Sequence, residues 1–132
     1  MIKQQTQVVM SQMVQVTQLN PLGRVHGGEM IKMMDNAAAC CASRYCGHVS
    51  LTVALDNVDF HDAIYAGEVA VCEAEICDAG KSSMRVEVIL KGENLLTGQS
   101  RPVTTAIFTM VAVDQHGKPV RVPGLKKATV QV

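Results

Sequence analysis

Hydrophobic and polar residues alternate along five segments of the chain, the pattern of β-strands with one buried face. The first segment covers Gln7–Gln18 and alternates only loosely. A turn follows at residues 20–23, where Pro21 fixes its own φ and disfavours helix at the residue before it. The other four segments all follow residue 50, at Leu51–Asp56, Gly67–Cys77, Met84–Lys91 and Val103–Val113. The pattern predicts five strands.

Between the first two strands the apolar spacing changes to three and four residues, which predicts a helix. The helix opens at Gly27 and Gly28, runs to about Tyr45 and ends before Gly47. Residues 37–43 are almost all small, so this helix can lie tightly against a curved sheet. The predicted order is β-α-β-β-β-β, an α+β fold with one long helix against an antiparallel sheet. Because the other sheet face and the edges are left open, we expect oligomerisation.

Composition excludes several classes of protein. The chain has 132 residues, which suits one compact domain. Lys and Arg total 12 and Asp and Glu total 12, so no net charge attracts nucleic acid or an anionic membrane. Only 3% of residues are aromatic, which argues against a platform that stacks bases. We therefore expect neither nucleic acid nor membrane as a partner.

The end of the chain is basic. Residues 115–132 contain four basic residues and no acidic ones, namely Lys118, Arg121, Lys126 and Lys127. This segment is either a solvated tail or a contact to a phosphate.

Five cysteines occur without a CxxC or CxxH pattern: Cys40, Cys41, Cys46, Cys72 and Cys77. Since the chain does not open with a leader-like pattern, we expect a cytoplasmic protein with reduced cysteines that pack as small hydrophobes. Cys72 and Cys77 are five residues apart and should face opposite sides of one strand.

A metal site receives little support from the sequence. Asp59, His61 and Asp62 are close together, but His48 and His116 have no ligand-like spacing to them. The sequence also lacks a GxSxG motif and a recognisable Cys–His pair, so a covalent Ser or Cys hydrolase is not supported. We expect no metal.

Asp35 is the strongest catalytic candidate. A helical projection places it on the border between the apolar and polar faces of the predicted helix. A partly buried carboxylate of this kind is a better base near neutral pH. The alternative is a carboxylate that reaches solvent or forms an ion pair.

The start of the helix holds further candidates. Free amides at Gly27 and Gly28 could bind an oxyanion, because glycine leaves them unshielded. His26 is better suited to ordering the turn than to acid or base chemistry. Asn20, in the preceding turn, either caps that turn or takes part in the chemistry.

A second turn combines backbone amides, two hydroxyls and an ammonium group, at Gly80, Lys81, Ser82 and Ser83. It could hold a phosphate, although it lacks the spacing and the following helix of a P-loop. A plain hairpin turn is the alternative.

Taken together, these features closely resemble the cytosolic (brain-type) acyl-CoA hydrolases, a family of hotdog-fold thioesterases. The resemblance covers about residues 7–125, in the family's order and spacing. Its motifs are Asn20 to Gly28, Lys32 to Asp35, Asp59 to Asp62, Gly67, Gly80 to Met84, Phe108 to Val113, and Pro123 to Leu125.

The resemblance implies a single hotdog domain over residues 1–132, with a short basic tail and a sheet wrapped around the helix. It also implies a homodimer at least, commonly three dimers in a hexamer, with active sites at the dimer interface. Asn20 of one protomer would then face Asp35 of its neighbour.

The implied activity is hydrolysis of acyl-CoA to a free acid and coenzyme A. Asp35 would activate water or attack directly, Asn20 would orient the water or the carbonyl, and the Gly27 and Gly28 amides would hold the oxyanion. Gly80, Lys81, Ser82 and Ser83 would hold the coenzyme A end of the substrate, with no metal or organic cofactor. Two alternatives remain, a non-catalytic acyl-CoA-binding protein and a hotdog dehydratase or hydratase, although the His-Phe-Pro-Gly type motif of the latter is absent.

Overall fold

The computed structural model describes residues 5–125. It contains one long helix and five strands, in the order predicted from the sequence. The strands are β1 Gln7–Met13, β2 Val49–Phe60, β3 Glu68–Ala79, β4 Ser83–Asn94 and β5 Ser100–Val113. The helix, α1, spans Gly27–Cys46, and a 3-10 turn covers Val16–Gln18.

The five strands form one antiparallel sheet in the order β1-β3-β4-β5-β2. Helix α1 packs against this sheet and contacts every strand. The α+β prediction of one long helix against an antiparallel sheet is confirmed. Strands β1 and β2 lie at the two edges of the sheet.

The core lies between the helix and the sheet. Ala37, Ala38 and Ala42 are fully buried, as the run of small residues predicts for a helix in tight contact with the sheet. Large side chains from β4 and β5, such as Phe108, fill the remaining space. The helix stops at Gly47, whose φ of 75° is left-handed, so the predicted C-terminal glycine is confirmed.

The first predicted strand is too long. It ends at Met13 rather than Gln18 because local hydrogen bonds fold the following residues into the 3-10 turn. The Gln15 amide donates to Oε1 of Gln18 at 2.8 Å, and the Leu19 amide donates to the Val16 carbonyl at 3.1 Å. The 3-10 turn then leads toward the helix, since the His26 amide donates to the Gln18 carbonyl.

Strand β2 is confirmed, but its apolar row is not covered by the rest of the chain. Leu51 and Val53 are 51% and 60% exposed. The strand lies at the sheet edge, and register shifts interrupt its pairing with β5 between Thr52 and Ala54 and between Asp56 and Asp59. One chain therefore leaves an apolar strand edge open.

The segment after β5 returns along the sheet. The Val120 amide donates to the Ala112 carbonyl and the Val122 amide to the Lys81 carbonyl. Lys118 and Arg121 are exposed there, whereas Lys126 and Lys127 lie outside the described residues. None of the helices in residues 5–125 is long and apolar enough to cross a membrane.

Candidate functional site

Asp35 lies where the helical projection places it, half-buried on the border of the helix face. Its Oδ1 accepts a hydrogen bond of 2.5 Å from the Thr52 hydroxyl on β2. The same hydroxyl lies 3.3 Å from Sδ of Met110 on β5. The second carboxylate oxygen has no hydrogen-bond partner among residues 5–125, so one oxygen is anchored and the other is available for chemistry.

Thr52 was not among the residues singled out from the sequence. A threonine within an alternating strand has no distinctive pattern, because alternation shows which residues share a face and not what they contact. A hydroxyl opposite Asp35 could be found only by knowing that β2 runs beside this part of the helix.

The start of α1 presents two free amides. Within the described part of the chain, the Gly27 and Gly28 amides have no hydrogen-bond acceptor, and the His26 side chain does not cap the helix. Gly28 is exposed and no atom comes within 4 Å of where a side chain would begin. At Gly27, a Cβ would meet the Phe60 ring at 3.6 Å. These amides are therefore free to donate, and their oxyanion-binding role stays a prediction.

Asn20 does cap its own turn. Its Oδ1 accepts hydrogen bonds from the amides of Leu22 at 2.9 Å and Arg24 at 3.1 Å. Its backbone amide donates to the Arg24 carbonyl at 2.7 Å. The capping alternative is confirmed for the side-chain oxygen. The side-chain nitrogen has no partner in residues 5–125 and can donate to a ligand.

The candidate residues do not meet within one chain. No hydrogen bond joins Asn20 to Asp35 in the described residues. Asp35 is seven residues beyond Gly28, which places it about 10 Å further along the helix. The free amide hydrogens also point along the axis away from Asp35. One substrate carbonyl therefore cannot contact both Asp35 and the free amides at the helix start of the same protomer.

The Gly80–Ser83 turn lies at the opposite end of the sheet from Gly27. Phe60, which packs against Gly27, pairs with Thr104 on β5, whereas Ser83 pairs with Val111. These two β5 positions are seven residues apart, about 23 Å along the strand.

The turn itself is tightly closed. The Gly80 amide donates to the Ser83 carbonyl at 2.8 Å. A side chain at Gly80 would meet Oγ of Ser83 at 2.8 Å, so the Ser83 hydroxyl would have to move to admit one. Lys81 is exposed and Ser82 and Ser83 are half-buried, so these polar groups can be approached from solvent.

An ion-pair network that the sequence did not reveal joins β5 to the segment between β2 and β3. The Arg101 guanidinium donates to Oδ2 of Asp62 at 2.9 Å and to Oε2 of Glu68 at 2.7 Å. The hydrogen bond from Arg101 lowers the pKa of Glu68. At Asp62, a bond from the Ala63 amide and one from Arg101 together lower the pKa.

Two of the five cysteines are the buried small hydrophobes that the sequence predicts. Burial raises the pKa of Cys41 to about 11 and that of Cys72 to about 12, so both thiols stay protonated and unreactive. Cys77 is exposed on the opposite face of β3 from Cys72, as their spacing predicts. In residues 5–125 no three His, Cys, Asp or Glu side chains are grouped so as to hold a metal.

Comparison with known protein families identifies a match to the Thioesterase superfamily over residues 22–98. Protein VdlD of Helicobacter pylori is 32% identical over 124 residues, covering 94% of this chain and 71% of that protein. The human cytosolic acyl coenzyme A thioester hydrolase is 31% identical over 109 residues, which is 81% of this chain and 29% of that protein.

Two solved structures share the fold, which confirms the hotdog prediction. An apo-hexameric acyl-CoA thioesterase superposes with a TM-score of 0.89 at 32% identity, covering 95% of this chain and 80% of that one. An acyl-CoA hydrolase from Staphylococcus aureus, in complex with butyryl coenzyme A and coenzyme A, has a TM-score of 0.87 at 27% identity, with 96% and 77% coverage.

The same Staphylococcus aureus hydrolase was also solved with one asparagine, one aspartate or one threonine changed to alanine. Along that chain the asparagine and aspartate are 15 positions apart, and the aspartate and threonine 17. Asn20, Asp35 and Thr52 have the same two spacings here.

Proposed function

Because the chain belongs to the Thioesterase superfamily, we propose that it hydrolyses acyl-CoA to a carboxylic acid and coenzyme A. The observation that carries this proposal is the half-buried Asp35 carboxylate, which Thr52 holds by one oxygen and leaves free at the other. The match in spacing to the three residues altered in the Staphylococcus aureus acyl-CoA hydrolase supports it.

In the proposed reaction a water molecule adds to the thioester carbonyl carbon. Asp35 takes the proton from this water, the oxyanion is held by the Gly27 and Gly28 amides, and Asn20 orients the water or the carbonyl. Each oxyanion donor is typically worth about 3 kcal/mol. The carbon–sulfur bond then breaks and coenzyme A leaves as a thiolate, which needs no strong general acid. Direct attack by the Asp35 carboxylate, followed by hydrolysis of the resulting anhydride, uses the same groups.

The separation of Asp35 from the amides within one chain favours a site shared between two protomers. The open edge of β2 supplies a way to build it, because its backbone is paired on one side only and its apolar residues are exposed. Antiparallel pairing of β2 with its copy, centred near Asp56, would place the partner's Thr52 opposite Phe60. The partner's Asp35 would then lie beside Gly27, and Asn20 of this protomer would face it.

This pairing also has a consequence for coenzyme A. In the antiparallel dimer, the partner's copy of the turn at Gly80, Lys81, Ser82 and Ser83 would lie near the helix start of this protomer. We assign this turn to the nucleotide or pantetheine end of the substrate, with Lys81 near a phosphate and no metal or organic cofactor required. Three such dimers forming a hexamer, and a cytoplasmic location, accord with the hexameric and cytosolic relatives.

The proposal predicts that the protein releases free thiol from acyl-CoA and that Asp35→Asn lowers kcat at least a hundredfold, because the amide cannot accept the proton. Release of thiol across acyl-CoAs of increasing chain length measures this activity. Coenzyme A affinity should change little, which calorimetry would check. Glu75→Gln, which changes an exposed carboxylate on β3 away from the β2 edge, is the matched control and should keep wild-type kcat.

A non-catalytic acyl-CoA-binding protein is the alternative, and it predicts binding without thiol release. Wild-type protein that binds acyl-CoA but releases no thiol from any member of the panel would establish this alternative. Wild-type kcat in Asp35→Asn would instead remove Asp35 from the mechanism.

A further inference from the structure

Arg101 is the most heavily bonded side chain outside the residues assigned to the reaction. Besides its contacts to Asp62 and Glu68, its Nη2 donates to the Ala63 carbonyl at 2.5 Å and to Oε1 of Glu68 at 3.1 Å. The guanidinium also lies 5.8 Å from the centre of the Tyr65 ring. With Glu68 it forms the two-pronged pair that only arginine can make, and Glu68 is only 14% exposed.

The sheet makes room for this side chain. Gly92 on β4 pairs with Arg101 on β5, and a Cβ at Gly92 would lie 3.2 Å from Nη1 of Arg101. The guanidinium therefore crosses the β4 backbone to reach Glu68 at the start of β3. Two carboxylates neutralise its charge, so it is not a free cation for a substrate phosphate.

All the acceptors that bond to the Arg101 guanidinium lie within residues 62–68. We call this segment the β2–β3 connection. Glu68 closes this connection further, because its Oε1 accepts a hydrogen bond from the Tyr65 amide at 2.8 Å. Ile64 in the middle of it is fully buried. One arginine thus bonds to both ends of the connection, at Asp62 and Ala63 on one side and at Glu68 on the other.

The β2–β3 connection in turn holds the segment that enters the helix. The Ile64 carbonyl accepts a hydrogen bond from the Val25 amide at 2.9 Å, and Tyr65 pairs with Arg24 in an isolated bridge. The Arg24 guanidinium lies 5.7 Å from the centre of the Tyr65 ring. Both backbone groups of Arg24 bond to Asn20. Only Val25 and His26 separate Arg24 from the start of the helix at Gly27.

We propose that Arg101 is a positioning residue that holds the Asn20 turn and the start of α1 in place through the β2–β3 connection. It acts on the reaction without touching the substrate, by fixing where the Asn20 side chain and the Gly27 and Gly28 amides point. This inference rests on the proposed function for its kinetic consequence, but its structural consequence does not depend on any activity.

The kinetic test compares Arg101→Met, Arg101→Lys and Glu68→Gln with wild type. Loss of positioning should lower kcat about tenfold to a hundredfold in Arg101→Met and change KM less than threefold, as for other groups that orient a catalytic residue. Lysine keeps the charge but not the two-pronged contact, so Arg101→Lys should lie between Arg101→Met and wild type. Lys91→Met is the matched control, since Lys91 pairs with Glu73 on the sheet and does not contact the connection.

A double-mutant cycle tests the route of the effect. If Arg101 acts through Asn20, Arg101→Met should cost much less in an Asn20→Ala background than in wild type. A rise in KM with unchanged kcat would instead mark a substrate contact and overturn the proposal. Equal costs in the two backgrounds would overturn the route through Asn20.

Hydrogen exchange separates this inference from the proposed function. In Arg101→Met the amides of Leu22, Arg24 and Val25 should exchange faster, while in Lys91→Met they should exchange at the wild-type rate. Unchanged exchange at these amides overturns the inference whatever the activity. Wild-type protein without thioesterase activity would contradict the proposed function alone. If Arg101→Met does not fold, Arg101→Lys and Glu68→Gln give the same comparison.

Discussion

The hydrogen bond from Thr52 to Asp35 is the contact that sets the direction of the candidate catalytic carboxylate. Thr52→Val keeps the size of the side chain and its packing beside Met110 but removes the donor. The carboxylate can then rotate, so we expect kcat for acyl-CoA to fall about tenfold to a hundredfold, with little change in KM. Steady-state release of thiol measures both constants.

Thr52→Ser is the control for this prediction, because serine keeps the hydroxyl and loses only a methyl group. It should retain kcat within about threefold of wild type, since the hydrogen bond is kept. If Thr52→Val and Thr52→Ser had the same kcat, the hydroxyl would have no part in orienting Asp35.

At the scale of residues, sequence reasoning found the candidate groups that stand out by their position within a single helix. Asp35 was found from the helical projection, and the Gly27 and Gly28 amides from their place at the helix start. Thr52 and Arg101 were missed because their importance lies in contacts between elements that are far apart in the chain, 17 residues for Thr52 and 33 for the pair of Arg101 with Glu68. No spacing rule within one element can show such contacts.

At the scale of elements, the helix depends on small side chains where it meets the sheet. Ala38 is fully buried there, and its replacement by leucine would force the helix away from the sheet. We expect Ala38→Leu to reduce the free energy of unfolding by about 1–3 kcal/mol. Urea denaturation followed by circular dichroism measures this change.

Lys32→Leu supplies the comparison, because Lys32 is exposed on the same helix. It places a leucine outside the core, where no sheet is displaced, and should change the free energy of unfolding by about 0.5 kcal/mol or less. Equal stability of Ala38→Leu and wild type would show that the contact between helix and sheet can widen without cost.

The element boundaries show where sequence reasoning stops. The helix end was predicted to within one residue because Gly47 has a fixed conformational role. The end of β1 was not, since a hydrogen bond from the Gln15 amide to the Gln18 side-chain oxygen helps form the 3-10 turn within an apparently alternating segment. Alternation also predicted β2 but not the exposure of its apolar row, because alternation does not show what covers each face of a strand.

At the scale of the whole molecule, the proposed catalytic groups lie apart from one another in a single chain. The Asn20 turn and the free amides lie at one end of the helix, and Asp35 with Thr52 lies further along it. The third group, the Gly80–Ser83 turn, is at the far end of the sheet. An antiparallel partner at the β2 edge reverses these ends, so each group of one protomer would meet its complement on the other.

A shared site of this kind predicts that two inactive variants complement each other. Asn20→Ala and Asp35→Ala should each be nearly inactive alone. After subunit exchange in equal amounts, half of the dimers are mixed, and each mixed dimer contains one intact site and one doubly altered site. We therefore expect about one quarter of wild-type thiol release per protomer.

Asp35→Ala mixed with Thr52→Val is the control, because both changes affect the same half of the site and the mixture should show only the mean of the two preparations. Native mass spectrometry would verify that mixed dimers form. If they form and Asn20→Ala with Asp35→Ala recovers no activity, then Asn20 and Asp35 do not act together across an interface, and the β2 edge must serve a different contact.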